Sequence, residues 1–341
     1  MIKDDRGVIL LVTLWLLAIL SLLAIGIGFR TSIQLKLVSY QIDNLKAYEL
    51  AKAGIIKAIN ELEKDEKKET DTIWECGITL KENETFNEKF QNVRLGEGHF
   101  DISYIEDLQG KININSAPRN VLMGLVAAVA NAGEVADNIR AWRGDAGEGA
   151  PPSEAKDYSD KPYSCKEAPF DAVSELLLVK GITQEIYYGK DEETGLKGLV
   201  TVFGPKDQKG FKININTADQ KTLETVLDAY NLATAAAANI VAYRSGEDRD
   251  INTISDNKAF TSTTELQDFL KTAEGGDVDN TTLNNFSNNI SILNSNYFRI
   301  RSVGTLEGRK SNIHRTITCV VKREISDTPP HKTEILSWVE E

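Results

Sequence analysis

Residues 1–30 read MIKDDRGVILLVTLWLLAILSLLAIGIGFR. Charged residues Lys3, Asp4, Asp5 and Arg6 lead to Gly7, and from Val8 to Phe29 there is no charge at all. Thr13 and Ser21 are the only hydroxyl side chains in that run of 22. About 20 apolar residues let a helix cross a hydrocarbon layer of roughly 30 Å. The run therefore suits a membrane span, and it exceeds the apolar core of a removable secretory signal, about 7–15 residues. No AxA cleavage stretch ends it. A plain N-terminal anchor, and a helix trimmed just ahead of its apolar run, both fit these residues.

The helical pattern continues beyond the span. From Thr31 to Glu63 there is no proline, and Gly54 is the only glycine. Leu45, Tyr48, Ile55, Ile59 and Leu62 follow the 3–4 spacing of one helical face. Ala47, Ala51, Gly54 and Ala58 form a second stripe of small residues suited to close packing. At 1.5 Å per residue, a helix from Val8 to Glu63 is roughly 80 Å long. The KDEKKETD run that follows reads as a solvated helix end.

The body carries an internal repeat. KININSAPRNVL from Lys111 recurs as KININTADQKTL from Lys212, 101 positions on. At the same offset Asn138, Ile139, Trp142 and Arg143 match Asn239, Ile240, Tyr243 and Arg244. Phe170, Ser174, Glu175 and Leu176 match Phe260, Thr264, Glu265 and Leu266 at an offset of 90, so the first copy has a loop 11 residues longer. ININ alternates as a short extended segment does. Ser116 and Thr217 then stand where a helix N-cap is wanted, and Pro118 falls just inside the helix. Each copy is expected to be a three- or four-helix unit. Flanking the repeat, CGITL and HFDISYIED before it, and FRIRSVGTLEG and HRTITCVVKRE after it, read as strands, with GTLEGRK as a hairpin turn. Such a sheet would bury its apolar face on the soluble half of the stem helix.

The chain has 341 residues, 41% hydrophobic and 26% charged, enough for more than one core. Its formal net charge is -12, which repels phosphate backbones. The repeat copies are themselves acidic: residues 110–182 hold eight Lys/Arg against ten Asp/Glu, and residues 211–283 six against twelve. Cys76, Cys165 and Cys319 are too far apart for a metal knuckle or a CxxC site, and leave either three thiols or one disulfide and one thiol open. His99, His314 and His331 are scattered, and no HExxH, GxSxG or P-loop occurs. The reading is not an enzyme. Hard-oxygen candidates for calcium are Asp145, Glu148, Glu154, Asp157 and Asp160 in one loop and Asp277 and Asp279 in another, at a spacing that matches no EF-hand.

Two resemblances meet in this chain. The polar leader that ends at Gly7 resembles the type III signal of pilins and pseudopilins. That likeness implies cleavage between Gly7 and Val8 by a prepilin peptidase, with Val8 then N-methylated. Position 12, where most pilins carry a glutamate, is Val12, and among pseudopilins its absence marks the K-class minor pseudopilin of type II secretion. The repeats resemble helix-hairpin-helix and sterile-alpha-motif-like modules, without the GIG hairpin of the DNA-binding kind; Gly181-Ile182 is only half of it. AYELAKAGIIKAINELE, IEDLQGKININSA, AWRGDAG, SEAKDY, PFDAVSELLLVKGI, GLVTVFGPKDQKGFKININTA and ILSWVEE are similar to K-class segments, although Gly144 stands where that class often has an acid.

The K-class likeness implies an α+β, pilin-like fold with a large all-α insert of two repeats. The expected parts are a leader (1–7), a transmembrane and stem helix (8–65), a first sheet part (70–108), the helical insert (109–290, repeats 110–182 and 211–283), a second sheet part (296–325) and a C-terminal tail (326–341). It also implies a subunit at the tip of a periplasmic pseudopilus that helps start assembly. Its partners would be I- and J-class minor pseudopilins, the major pseudopilin, the inner-membrane assembly platform and the prepilin peptidase, with no nucleic acid. The rival readings are a membrane-tethered helix-hairpin-helix DNA receptor and a minor pilin of a type IV pilus.

Overall fold

A computed structural model of the chain describes residues 6–66, 70–78, 85–146, 149–189, 195–205, 210–249, 256–273, 279–307 and 312–341. In chain order the elements are α1 (Arg6–Glu63), α2 (Phe86–Phe90), β1 (Val93–Leu95), β2 (Gly98–Asp107), β3 (Ile112–Asn113), α3 (Arg119–Leu125), α4 (Ala132–Trp142), α5 (Gln184–Tyr188), α6 (Leu196–Leu199) and β4 (Val200–Thr201). There follow β5 (Ile213–Asn214), α7 (Gln220–Ala229), α8 (Ala235–Arg244), α9 (Thr263–Ala273), α10 (Asn280–Asn285), β6 (Ser291–Ile292), β7 (Tyr297–Leu306), β8 (Ile313–Glu324) and β9 (Lys332–Glu340).

The span and the stem are one helix of 58 residues. From Ile9 to Ile42 every side chain is exposed; burial begins at Ala47. Ala47, Ala51, Gly54 and Ala58, the small stripe, are completely buried, with Ile55 and Leu62 beside them. Their size sets the geometry. A Cβ added at Gly54 would overlap Ser302 and Phe100, and one at Gly304 would overlap the backbone of Ala47 and Ala51. Helix and strand therefore lie almost backbone to backbone. Leu45, expected on that face, is exposed instead.

Under the stem lies a five-stranded antiparallel sheet of order β1-β2-β7-β8-β9. Phe100, Ile102, Ile105, Phe298, Ile300, Ile317, Cys319 and Val321 face the stem and form one core with it. Two parts of this differ from expectation. CGITL is not a strand: Ile73–Gly77 turn, with Cys76 and Gly77 both in the left-handed region (φ 54° and 76°), and Thr79 and Leu80 lie outside the described residues. The first sheet part is instead the hairpin β1–β2. Residues 326–341 are not a tail either, since β9 pairs along β8 from Glu324↔Lys332 to Ile317↔Glu340. Charged and polar residues on both faces of β9 conceal its strand character. The GTLEGRK turn falls partly outside the described residues.

Between β2 and β7 runs the helical insert. Each repeat copy closes on itself, because its ININ segment pairs in parallel with the segment that ends the copy: Ile112↔Val200 and Asn113↔Thr201 in the first, Ile213↔Ser291 and Asn214↔Ile292 in the second. The modules thus run 112–201 and 213–292, wider than expected. They share one core around Ile114, Ile139 and Phe170 in the first copy and Ile215, Ile240 and Phe260 in the second. The helix starts also move. The Ala117 and Ala218 amides donate to Asn113 and Asn214 carbonyls (2.8 and 2.9 Å), which holds Ser116 and Thr217 in a turn ahead of the helix. The caps are Pro118, with no side-chain bond, and Asp219, whose carboxylate accepts from Thr222 N at 2.6 Å.

Strand β2 begins beside the lower stem, where Lys46 pairs with Glu97 at 2.5 Å. It ends at Asp107, which accepts from Ser295 Oγ at 2.6 Å, while Ser295 N donates to Asp71 at 2.6 Å and Arg323 bridges Asp71 to Asp65, two residues past the stem. The insert leaves and rejoins the scaffold there, at the end of the stem away from the apolar span.

Candidate assembly site

Gly7, Val8 and Val12 all lie in the first turns of α1, while leader residues Met1–Asp5 are outside the described residues. Val12 stands exposed on the helix. Among the described residues α1 is the one helix long and apolar enough to cross a membrane by length and composition.

The repeated motif residues are brought together twice, in the same way. The Asn115 carboxamide accepts from Phe170 N (2.8 Å) and donates to Phe170 O and Val202 O (3.0 and 3.1 Å). Asn216 accepts from Phe260 N (2.9 Å) and donates to Phe260 O (3.0 Å). The Arg143 guanidinium donates to Ile114 O and Ala117 O (2.6 and 2.9 Å), and that of Arg244 to Ile215 O (2.8 Å). Trp142 Nε1 donates to Glu175 (3.2 Å), and Tyr243 OH to Glu265 (2.7 Å). The three spaced blocks of the repeat are thus one network: the Asn clamps the Phe backbone, and the Arg holds the ININ carbonyls. These residue types recur because each satisfies buried backbone groups that would otherwise be stranded. The copies differ at one place. Arg143 is neutralised by Asp145 at 2.7 Å, whereas the matching position after Arg244 is Gly246, and burial pulls the Arg244 guanidinium down to about 10.

Among the described residues the expected calcium ligands do not converge. The Asp145 carboxylate accepts from Arg143 (2.7 and 2.9 Å) and Arg140 (3.0 Å), so guanidinium charge already fills its surroundings. Asp157 accepts from Ser159 N at 3.0 Å, and Asp160 pairs with Lys161 at 3.2 Å; each of these carboxyls is held below its ordinary value by that contact. Glu154 accepts from Ser153 Oγ at 3.3 Å. Asp279 caps α10 by accepting from Thr282 N at 3.2 Å. Asp277 and Glu148 are outside the described residues. Among the described residues no three His, Cys, Asp or Glu side chains are placed to hold a metal ion. The three cysteines are free thiols; burial pushes Cys76 and Cys319 up to about 12.

A junction that sequence reasoning missed ties insert, stem and sheet together. Arg323, fully buried, donates to Asp65 (2.7 Å), Asp71 (2.7 and 2.9 Å), Gly77 O (3.0 Å) and Ser295 O (2.9 Å). Alongside, the Asp107 carboxylate accepts from Gln109 N (2.8 Å), Asn214 (2.9 Å), Ser295 (2.6 Å) and Thr217 (2.5 Å). Asn214 is a repeat residue, so the second module is bonded directly to the end of β2. A cavity of about 240 Å³, lined by Thr72, Cys76, Asp107, Lys111, Thr217 and Asp219, lies beside it. The missed signal is in β8: Arg323 continues the inward alternation of Ile317, Cys319 and Val321, and an arginine on an apolar face needs acidic partners.

Burial pushes the Asp71 carboxyl up to about 7, against the pull of Arg323, and raises that of Asp107. A carboxyl that holds its proton more tightly when folded favours the folded state most at low pH. Its contribution is complete below the unfolded value, 3.8, and is lost as the pH climbs through about 7. The melting temperature of the detergent-solubilised chain is therefore expected to fall between pH 5 and pH 8, and Asp71→Asn to flatten that slope. Thermal unfolding at constant ionic strength measures both.

Residues 98–189, from β2 to just past α5, match the family model described as type II secretion system (T2SS), protein K. That segment is similar to the protein K family. The match starts in the sheet and takes in most of the first helical module, so the joining of scaffold and insert at Asp107 falls inside the matched segment. The fold agrees. A chain of the GspK-GspI-GspJ complex from the type 2 secretion system of enterotoxigenic Escherichia coli superposes with a TM-score of 0.61 at 18% identity, over 89% of this chain and 99% of that one. No curated protein matches this chain in sequence. Protein K is described as a component of the type II secretion system.

Proposed function

We propose that this chain is the minor pseudopilin that caps the tip of a periplasmic pseudopilus and helps start its assembly with I- and J-class subunits. The observation that carries the reading is the attachment of the helical insert at the far end of the stem. A head of some 180 residues there is far bulkier than the sheet below it and obstructs the addition of another subunit above. In this reading the chain is made in the inner membrane, cut between Gly7 and Val8 by a prepilin peptidase, and N-methylated at Val8. Val12 in place of an acidic residue suits a subunit with no neighbour above it whose amine would need a partner.

Two measurements test this. Mass spectrometry of the chain from cells that hold the peptidase is expected to show an N-terminus at Val8, and Gly7→Leu to leave Met1 in place; an intact wild-type Met1 would count against the pseudopilin reading. Labelling of the insert on isolated filaments is expected at one end only. Labels along the filament length would remove the tip assignment.

A further inference from the structure

The two copies of the repeat treat one buried charge differently. In the first, the Arg143 guanidinium gives Nη1 to the carbonyls of Ile114 and Ala117. It turns its other edge, Nε and Nη2, to the Asp145 carboxylate at 2.7 and 2.9 Å. Arg140 brings a second cation to the same carboxylate at 3.0 Å. In the second copy Arg244 keeps half of this arrangement, with Nη1 donating to Ile215 O at 2.8 Å. The other half is not made. Gly246 stands at the Asp145 position and Val241 at that of Arg140. Arg244 is 3% exposed, its Nε has no hydrogen-bond partner, and among the described residues no carboxylate pairs with it. The two acids nearest in the fold are engaged elsewhere. Asp219 caps α7 through Thr222 N at 2.6 Å. Asp256 lies over Gly246, where a Cβ would overlap its carboxylate, and its Oδ2 accepts from Glu247 N (2.7 Å) and Asp248 N (3.2 Å) while Oδ1 has no partner.

We infer that the Nε–Nη2 edge of Arg244 is a binding site for one small carboxylate anion, of formate or acetate size, which takes the position that the Asp145 side chain holds in the first module. The first module supplies the geometry. Two parallel N–H groups on one arginine edge match the two oxygens of a planar carboxylate. One guanidinium, where the first module has two, calls for a single negative charge. The depth of Arg244 calls for a small ligand, since a side chain that is 3% exposed leaves no approach for another protein's acidic residue. The need is energetic. A charge held in the interior without a counter-charge is costly, and the guanidinium, drawn down by burial to about 10, carries that cost. The inference concerns the second module alone and does not depend on the pseudopilin reading.

The test uses the full-length chain in detergent at pH 7, with sodium acetate replacing sodium chloride at constant ionic strength. Acetate in roughly tenfold excess over its dissociation constant is expected to raise the melting temperature by about 2–4 °C. It should also slow hydrogen exchange in 213–292 and leave 112–201 unchanged. Arg244→Gln is expected to abolish both responses. A second variant keeps the arginine. Ser245→Gly with Gly246→Asp and Asp256→Ala rebuilds the Gly-Asp turn of the first module and clears the overlap at Gly246. It is expected to melt higher than wild type and to show no acetate response. Asp256→Ala alone should respond to acetate as wild type does. A response seen only in that variant would show that Asp256 itself closes the arginine edge, and would overturn the inference. Identical wild-type curves in acetate and chloride, or slowed exchange in both modules alike, would overturn it too.

Discussion

Arg323→Ala is expected to cost about 3–5 kcal/mol of stability, the range for breaking a buried ion pair from one side. Its guanidinium is completely buried and meets two carboxylates and two backbone carbonyls. Without it, Asp71 loses its guanidinium donor, and Gly77 O and Ser295 O each lose a donor as well. The ring of Phe298, 4.9 Å from the guanidinium carbon, would border the vacated space. Lysine is not a substitute. A single ammonium has three donors and no planar fork, so Arg323→Lys is expected to recover less than half of the loss. Adding Asp71→Asn to Arg323→Met should recover more, because it removes a buried carboxyl that has lost its guanidinium donor. Urea unfolding of the detergent-solubilised chain, followed by tryptophan fluorescence, measures all three. A loss under about 1 kcal/mol for Arg323→Ala would mean that the junction is held by its neutral hydrogen bonds instead.

What could be read from the sequence followed from how local the cause was. The stem is written in composition and in 3.6-residue periodicity, both local, and α1 has the expected extent. The repeat was legible because its determinants are identical short blocks, and the structure shows why they recur: Asn115 and Asn216 perform one task in two modules. The junction was hidden by distance. Asp65 and Arg323 are separated by 258 positions, and no local pattern links them. Strand β9 was hidden because an edge strand has one open side, and its polar residues on both faces erase the alternation that marks a strand. The acidic loop was legible only as a pattern of charge. Charge pattern alone cannot say whether a carboxylate faces a metal ion or an arginine of its own chain, and Asp145 faces two.

Asn115→Ala and Asn216→Ala are each expected to destabilise by about 2–4 kcal/mol, from the 1–3 kcal/mol cost of leaving one buried backbone group unpaired. In the first module the loss strands Phe170 N and the carbonyls of Phe170 and Val202. In the second it strands Phe260 N and O. With one more partner to lose, Asn115→Ala should be the more damaging of the two, by about 1 kcal/mol. The sites share no hydrogen-bond partner, so the double variant should lose close to the sum. Replacement by aspartate separates lost shape from lost hydrogen bonding. Asp keeps the acceptor for the Phe N–H but sets a carboxylate against carbonyl oxygens where the carboxamide donated, so Asn115→Asp should be worse than Asn115→Ala at pH 7. Protonation restores a donor, and that order should reverse at pH 4. Hydrogen exchange locates the effect. Amides of 112–201 should lose protection in the first variant and those of 213–292 in the second, with β2, β7 and β8 retaining theirs. Protection lost equally in both modules from either single variant would show that the insert opens as one unit, and that the parallel pairs closing each copy do not make it an independent fold.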